Sequence, residues 1–328
     1  MPPVSLSRRL MLGNVAAGLA FAPCLARADT GSHLAPPSVL PPPLPSAVEH
    51  IQGAADDQNR LTVETMVNGQ GPFRFVVDTG ADRSVICDDL AKSLGLPADE
   101  DMIVEGIARS MPAPSARLDR LQIGRVVMTD LVLPTLPRSW LGGDGYLGLD
   151  VIDRQAVTFD FQNHRLAIAP SDRITDWVPV ADGAVVRVDG SHGRLTAVNC
   201  SVDGVKAYAF VDSGAEISIG NSALFDALAK EGGKYLNDSI VQLLGVTGGA
   251  AQGRIMGIES IKLGSIRFVH SALVISDLPI FELWGLENKP ALFIGMNFLR
   301  QVSSVTIDYG RKELRFRLAE AARIARNA

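Results

Sequence analysis

Hydrophobic and polar positions alternate along most of the chain with the two-residue period of half-buried β-strands. The first clear case is Leu61–Val67, which a turn at residues 68–71 joins to a second strand that ends at Asp78. Helical periodicity is confined to short segments, of which Cys87–Leu94 and Asn221–Lys230 are the clearest. The pattern therefore predicts an all-β protein with a few short helices.

Two stretches of the chain repeat the same order of residues. Residues 75–82 read Phe-Val-Val-Asp-Thr-Gly-Ala-Asp, and residues 209–216 read Ala-Phe-Val-Asp-Ser-Gly-Ala-Glu. Each is an apolar strand that ends in a carboxylate, a small hydroxyl residue and a glycine. Asp78 and Asp212 are 134 positions apart, close to the size of one compact unit, so the spacing predicts two related lobes.

A second repeated element follows each aspartate loop in the same order. Residues 146–152 read Tyr-Leu-Gly-Leu-Asp-Val-Ile, and residues 293–299 read Phe-Ile-Gly-Met-Asn-Phe-Leu. Each joins an apolar pair to a glycine and a short helical segment. A lone Asp-Thr-Gly is a common turn sequence, but two copies with the same downstream partner favour a functional pair.

The chemistry of such a pair follows from its two carboxylates. Burying one carboxylate alone is costly, whereas two that face each other across a pseudo-twofold axis can share one proton. The ionised member then takes a proton from water while the protonated member polarises a carbonyl oxygen. Thr79 and Ser213 are expected to hold the two loops together by hydrogen bonds to backbone across the axis. Gly80 and Gly214 are expected to allow the tight turns.

These motifs resemble the active-site loops of aspartic proteases, and the Ala and acid after each glycine resemble the retroviral-type (retropepsin-like) branch. The resemblance covers roughly residues 58–318. It implies a two-lobe acid-protease barrel with pseudo-twofold symmetry, catalytic Asp78 and Asp212, and no cofactor. It also implies a monomer that contains an internal pseudo-dimer and binds a peptide or protein segment in extended conformation.

The chain departs from the retroviral pattern after each downstream glycine. The resemblance leads one to expect an arginine there, paired with the acid of the aspartate loop, but the positions hold Leu149 and Met296. Asp82 and Glu216 then contact substrate N–H groups, pair with Arg83 or another base, or are solvated at the surface.

Two glycine-containing loops are the expected flaps over the aspartates, residues 106–115 and residues 245–249. Neither contains the tyrosine of pepsin-like flaps. Ile107 and Val246 at their tips are expected substrate contacts. Aromatic residues of the neighbouring loops lead us to expect apolar subsites, although each of them could equally belong to a lobe core: Trp140, Phe281 and Trp284.

The chain divides into five predicted regions, of which the first is an export signal at residues 1–28. Ser7-Arg8-Arg9 before an apolar run resembles a twin-arginine signal, and Ala26-Arg27-Ala28 offers a cleavage site. An ordinary Sec signal and lipidation at Cys24 are the alternatives. The mature protein is expected in the periplasm or outside the cell. The other predicted regions are a Pro-rich leader at residues 29–57, lobes at residues 58–172 and 180–318, and a tail at residues 319–328.

Composition narrows the function further. The net charge is −5, and no basic stripe indicates nucleic-acid binding. No stretch after residue 30 is apolar and long enough to span a membrane. The histidines lack the spacing of metal ligands, and the sequence leaves open whether Cys87 and Cys200 pair. Two functions remain, an active endopeptidase and a non-catalytic peptide-binding module with the same fold. Two convergent acids favour the first.

Overall fold

The structure is a computed structural model, and it describes residues 49–152, 155–171, 183–189 and 196–318. The predicted export signal, the tail and residues 29–48 of the predicted leader lie outside this part of the chain. No helix within it is long and apolar enough to cross a membrane.

Strands make up most of the described chain, as the alternating pattern predicts. In the first half they are β1 Glu49–Ala55, β2 Leu61–Val67, β3 Gln70–Val77, β4 Val85–Cys87, β5 Ala98–Glu105, β6 Ser110–Ile123, β7 Val126–Leu136, β8 Gly145–Leu147, β9 Gln155–Asp160 and β10 Arg165–Pro170. In the second half they are β11 Gly183–Asp189, β12 Thr196–Val202, β13 Val205–Val211, β14 Ile219–Gly220, β15 Tyr235–Leu244, β16 Ala250–Leu263, β17 Ile266–Ile275, β18 Ala291–Ile294, β19 Val302–Asp308 and β20 Glu313–Leu318.

The helices are short and lie between strands. They are α1 Asp88–Ser93, α2 Arg138–Leu141, α3 Leu149–Ile152, α4 Ser222–Lys230, α5 Pro279–Leu283 and α6 Met296–Leu299. Helix α4 begins after Asn221, whose side chain accepts a hydrogen bond from the N–H of Leu224 and so caps the helix. This helix lies within Asn221–Lys230, one of the segments for which the sequence predicts helical periodicity.

The two halves of the chain form barrels of identical connectivity. In the first half, strand pairing runs β2–β3–β8–β4–β7–β6 and closes back on β2. In the second half it runs β12–β13–β18–β14–β17–β16 and closes back on β12. The all-β fold with two pseudo-twofold lobes is therefore confirmed.

A third, six-stranded sheet joins the two barrels. Its pairing order is β1–β10–β9–β19–β20–β11, and every pair is antiparallel. The central pair, β9 with β19, brings one strand from each half together. Thr158 and Thr306 face each other there, and their buried hydroxyls are 2.8 Å apart. Since backbone pairing is continuous between the lobes, the two barrels form one body.

The predicted leader is wrong over its last part. Residues 49–55, which the sequence assigns to a solvated segment, form β1 and pair with β10 and β2. Ile51 is buried in the core, and buried Glu49 forms an ion pair with Arg125. This strand closes one edge of the joining sheet, so the folded part of the chain begins before residue 58.

The Thr158–Thr306 pair predicts non-additive stability. Thr158→Val and Thr306→Val should each lower the free energy of unfolding by about 1–3 kcal/mol, because each leaves one buried hydroxyl without its partner. The double variant should cost less than the sum of the two, because neither hydroxyl remains. Denaturant unfolding of the three proteins measures this. Thr129→Val, on an exposed position of β7, is the control, and additive losses would contradict the prediction.

Candidate active site

Each aspartate follows a strand whose last three residues are buried, and it is fixed by the parallel strand beside it. Asp78 follows β3, and its N–H donates to the carbonyl of Leu147 at the end of β8 at 2.9 Å. Asp212 follows β13, and its N–H donates to the carbonyl of Ile294 at the end of β18 at 3.0 Å. The downstream apolar pairs noted in the sequence are these partner strands.

The two aspartate loops are joined by reciprocal hydrogen bonds across the pseudo-twofold axis. The N–H of Thr79 donates to Ser213 Oγ, and the N–H of Ser213 donates to Thr79 Oγ1, both at 3.0 Å. Each hydroxyl in turn donates to a backbone carbonyl of the opposite lobe: Thr79 to Val211 at 3.1 Å and Ser213 to Val77 at 2.8 Å. This is the arrangement that the sequence predicts for these two hydroxyl residues.

The glycines bring the two carboxylates to one place. A Cβ built on Gly80 would lie 2.7 Å from the Asp212 carboxyl carbon, and one on Gly214 would lie 2.4 Å from that of Asp78. Each aspartate therefore packs against the loop of the other lobe, where only glycine fits. Both side chains are buried, with 0% and 1% exposure.

Backbone N–H groups of the same loops point at the two carboxylates. The N–H of Gly80 donates to Asp78 Oδ1 at 2.7 Å. The N–H groups of Gly214 and Ala215 donate to Asp212 Oδ1 at 2.9 and 3.1 Å. Two buried acids held in this way by two symmetric loops can act as one acid–base unit.

The sequence does not single out a second set of polar residues that supports these loops. Ser84 donates from its N–H to both carboxylate oxygens of Asp150, at 2.9 and 3.0 Å, and from its hydroxyl at 2.7 Å. Its hydroxyl also accepts from the N–H of Gly148 at 3.0 Å. Burial raises the pKa of Asp150, while the Ser84 hydrogen bonds act in the opposite direction.

The second lobe repeats this support with an amide in place of the acid. Ser218 donates from its N–H and hydroxyl to Asn297 Oδ1 at 2.9 and 2.8 Å, and it accepts from the N–H of Gly295 at 2.8 Å. Both serines stand six residues after an aspartate, and Asp150 and Asn297 both stand two residues after the downstream glycine. That shared spacing is the signal that could have identified them.

Comparison with known proteins agrees with this geometry. A family profile described as aspartyl protease matches residues 63–151 and 198–298, more than half of the chain. The chain belongs to the aspartyl protease family. The two matched segments contain the two aspartate loops and the two downstream glycine elements. A search of curated proteins found no match.

The two predicted flaps of this aspartyl protease are tight turns, and the first is shorter than the sequence predicts. The first is the turn at residues 106–109, closed by a 3.0 Å hydrogen bond from the N–H of Gly106 to the carbonyl of Arg109. The expectation of a loop over residues 106–115 is wrong, because Pro112 and Pro114 lie within β6. The second flap is the turn at residues 245–249, as predicted, with a 2.9 Å bond from the N–H of Gly245 to the carbonyl of Gly249.

The two flap tips contact each other. Arg109 Nε donates to the carbonyl of Thr247 at 2.9 Å, and Thr247 Oγ1 donates to the carbonyl of Arg109 at 3.0 Å. The Arg109 guanidinium also lies 5.8 Å from the centre of the Trp140 ring. Gly248 packs so closely on the same ring that a Cβ would lie 2.3 Å from its Cζ2. Trp140 of the first lobe thus supports both flaps.

The predicted apolar contact residues are buried in this closed arrangement. Ile107 and Val246 have exposures of 3% and 0%. Ile107 belongs to a cluster otherwise made of second-lobe residues, including Phe281. Trp284 packs on Phe210, with ring centres 4.6 Å apart. Phe281 is therefore core, and the flap residues are covered as long as the tips stay in contact.

The two acids after the loops are half-buried and anchor the short helices through their backbone. The carbonyl of Asp82 accepts from the N–H of Asp150 at 3.2 Å, and that of Glu216 accepts from the N–H of Asn297 at 3.1 Å. Burial raises the pKa of Glu216, although Arg300 and Arg60 act in the opposite direction.

The described part of the chain contains neither a disulfide nor a group of metal ligands. Cys87 and Cys200 are free, and burial raises the pKa of each thiol to about 12. Within the described ranges, no group of three or more His, Cys, Asp or Glu side chains is arranged to hold a metal ion.

The reciprocal hydrogen bonds predict a large effect of one hydroxyl. Ser213→Ala should lower the free energy of unfolding by about 2–4 kcal/mol, because the buried N–H of Thr79 and the carbonyl of Val77 each lose a partner. Ser213→Thr, which copies the residue of the first lobe, should retain most of the stability. Chemical denaturation measures both, and equal stability of the Ala variant and the wild type would contradict the prediction.

The flap contact predicts a local change in dynamics. Arg109→Ala removes a charge-assisted hydrogen bond and the contact with Trp140, so amide exchange in both flap turns should become about tenfold faster or more. Hydrogen–deuterium exchange at residues 106–109 and 245–249 measures this. Arg117→Ala on the same hairpin removes only an ion pair with Asp99 and is the control. Unchanged exchange in the second flap would refute the coupling.

Proposed function

We propose that this aspartyl protease is an exported endopeptidase that hydrolyses peptide bonds with a water molecule activated between Asp78 and Asp212. The observation that carries the proposal is the crossed packing of the two loops, in which each glycine lies against the aspartate of the other lobe. A binding protein has no need of two buried acids held together in this way, since such a pair is costly unless it shares a proton.

The proposed reaction uses the pair as one unit. The ionised aspartate takes a proton from the water, whose oxygen attacks the carbonyl carbon of the substrate. The protonated aspartate gives its proton to the carbonyl oxygen, which forms a tetrahedral diol. Proton transfer from a hydroxyl through the carboxylates to the leaving nitrogen then accompanies cleavage of the C–N bond. The two carboxyls are held next to each other by the residues that follow them in the two loops, Thr79, Gly80, Ser213 and Gly214.

We assign the enzyme to the retropepsin-like branch, in a two-lobe, single-chain form that acts as a monomer. Two features support this. Ala and an acid follow the glycine of each loop, and each lobe supplies its own flap, with the two tips in contact. One chain provides both lobes, which supports the single-chain form.

The proposed substrate is an extended peptide segment that lies between the flaps and the aspartates. Asp82 and Glu216 are proposed contacts at the ends of the bound segment, and Ile107 and Val246 are proposed contacts above it. Because Ile107 and Val246 are buried between the closed flaps, the tips must separate before substrate enters.

Export is proposed from the first 28 residues alone. The basic pair, the apolar run and the Ala-x-Ala sequence predict cleavage near Ala28 and a mature protein in the periplasm or outside the cell. Cell fractionation with N-terminal sequencing tests this proposal. A cytoplasmic protein that retains Met1 would reject it.

The two-aspartate mechanism predicts non-additive losses of activity. Asp78→Asn and Asp212→Asn should each reduce kcat/KM by about a thousandfold or more, and the double variant should be little worse, because the pair acts as a unit. All three should remain folded, since Asn keeps the shape and removes the like charges. Peptide hydrolysis by the purified proteins, and a thermal melt of each, measure these effects. Asp226→Asn, on an exposed position of α4, is the control.

The pH profile and inhibitor binding complete this test. Hydrolysis should follow a bell-shaped pH dependence, because one aspartate must be ionised and the other protonated. A statine peptide, which carries a hydroxyl in place of the tetrahedral intermediate, should inhibit. Substantial turnover by either single Asn variant would end the two-aspartate mechanism. A wild-type protein that binds the statine peptide without cleaving any peptide would instead be a binding module.

A further inference from the structure

A polar cavity lies at the boundary between the two lobes, next to the strands that carry the aspartates. Its volume is about 590 Å³. Val76, two residues before Asp78, and Glu216, four residues after Asp212, both line it. A cavity with walls from both aspartate segments is placed to receive a side chain of a substrate bound between the lobes.

Most charges on the cavity wall are neutralised by each other. Arg60 is fully buried and binds Asp56, with its Nε 2.7 Å from Asp56 Oδ2. It also donates to the hydroxyl of Tyr146. Arg138 forms ion pairs with Asp144 and with Asp89. These pairs build a rigid wall that adds little net charge to the cavity.

Glu216 differs from the other acids that line the cavity. Its side chain is half-buried, yet it has no hydrogen bond and no ion pair within 4.0 Å to any residue that the structure describes. Arg60 and Arg300 influence it only from a greater distance. A carboxylate that has lost part of its hydration without gaining a direct partner is a site where a cation binds favourably.

We propose that Glu216 binds the side chain of a lysine or arginine of the substrate in this cavity, and that it makes the enzyme selective for a basic residue near the cleaved bond. This rests on the proposed peptidase function. The exposed Asp57 adds a second negative charge to the cavity lining. The exposed Arg74, which also lines the cavity, adds a positive charge that offsets it. Of Glu216, Asp57 and Arg74, the three charged lining residues outside the ion pairs, Glu216 alone is half-buried, so the interior of the cavity favours a cation.

The selectivity should depend on pH in a defined direction. Only ionised Glu216 attracts a basic side chain, and burial raises the pKa of this carboxyl. The preference is therefore present above the raised pKa and lost as the pH falls through it. The charged groups that act on Glu216 are Arg300 beyond α6, and Arg60 and Asp56 of the first lobe. The pH dependence of the aspartate pair affects all peptides alike. It therefore cancels when the values for two peptides are divided by each other.

The first experiment uses the wild-type protein and uncleavable ligands. Three statine peptides differ only in one flanking residue, which is lysine, norleucine or glutamate, and each flanking position is tested in turn. At one position the lysine peptide should bind at least about tenfold more tightly than the norleucine peptide. This is the difference expected for a partly desolvated charge-assisted contact. Equal affinity at every position, or a preference for glutamate, would overturn the proposal.

The second experiment assigns the preference to Glu216. Glu216→Gln should reduce the ratio of lysine to norleucine affinity to about one, and Glu216→Lys should turn the preference toward glutamate. Glu231→Gln, at an exposed position after α4, should leave the ratio as in the wild type. If Glu216→Gln keeps the full lysine preference, the proposal is wrong. The wild-type ligand series decides the matter even if a variant fails to fold.

The outcome can be separated from that of the proposed function. If the protein binds lysine-containing statine peptides through Glu216 but cleaves no peptide, the proposed recognition stands and the proposed peptidase function is wrong. If it cleaves peptides without a lysine preference, the proposed peptidase function stands and the proposed recognition is wrong. For cleaved peptides, the same lysine to norleucine ratio in kcat/KM should fall on acidification.

Discussion

The structure depends on the reciprocal hydrogen bonds between Thr79 and Ser213. They lie at the axis between the lobes, where each hydroxyl satisfies a buried N–H and a buried carbonyl of the opposite loop. Such groups are costly when left unpaired in the interior. The two loops must therefore meet, and this contact brings each glycine against the other aspartate. The proximity of two acids, which is unfavourable by itself, is imposed by these neutral hydrogen bonds.

The lobes are held together at two levels. The aspartate loops join them by the Thr79–Ser213 hydrogen bonds, and the six-stranded sheet joins them where β9 pairs with β19. Two separated attachments fix the angle between the barrels better than either attachment alone. The carboxyls can then be positioned with the accuracy that the proposed shared-proton chemistry requires, while the flaps contact each other through their tips.

Local patterns in the sequence predicted the barrels and the aspartate loops, but they could not show features that depend on distant partners. β1 was missed because its strand pairing is with β10 and β2, and its apolar pattern is weak. Pro112 and Pro114 suggested a loop, yet they lie before Ser115, where pairing of β6 with β7 begins. Before Ser115, β6 pairs with β5 on one side only, so a proline, which has no N–H, is tolerated there. Ser84 was not identified because its partner Asp150 is 66 residues away.

The two halves are equivalent in topology but differ in residues that support the aspartate loops and the flaps. A peptide has a direction, and a cleft with perfect twofold symmetry would bind it equally well in both. Here the supporting acid Asp150 is matched by an amide, Asn297. Trp140 supports the flaps from the first lobe, whereas Trp284 in the corresponding segment packs inward on Phe210. Duplication thus accounts for the pair of acids, and divergence between the copies makes the surroundings of the two acids unlike.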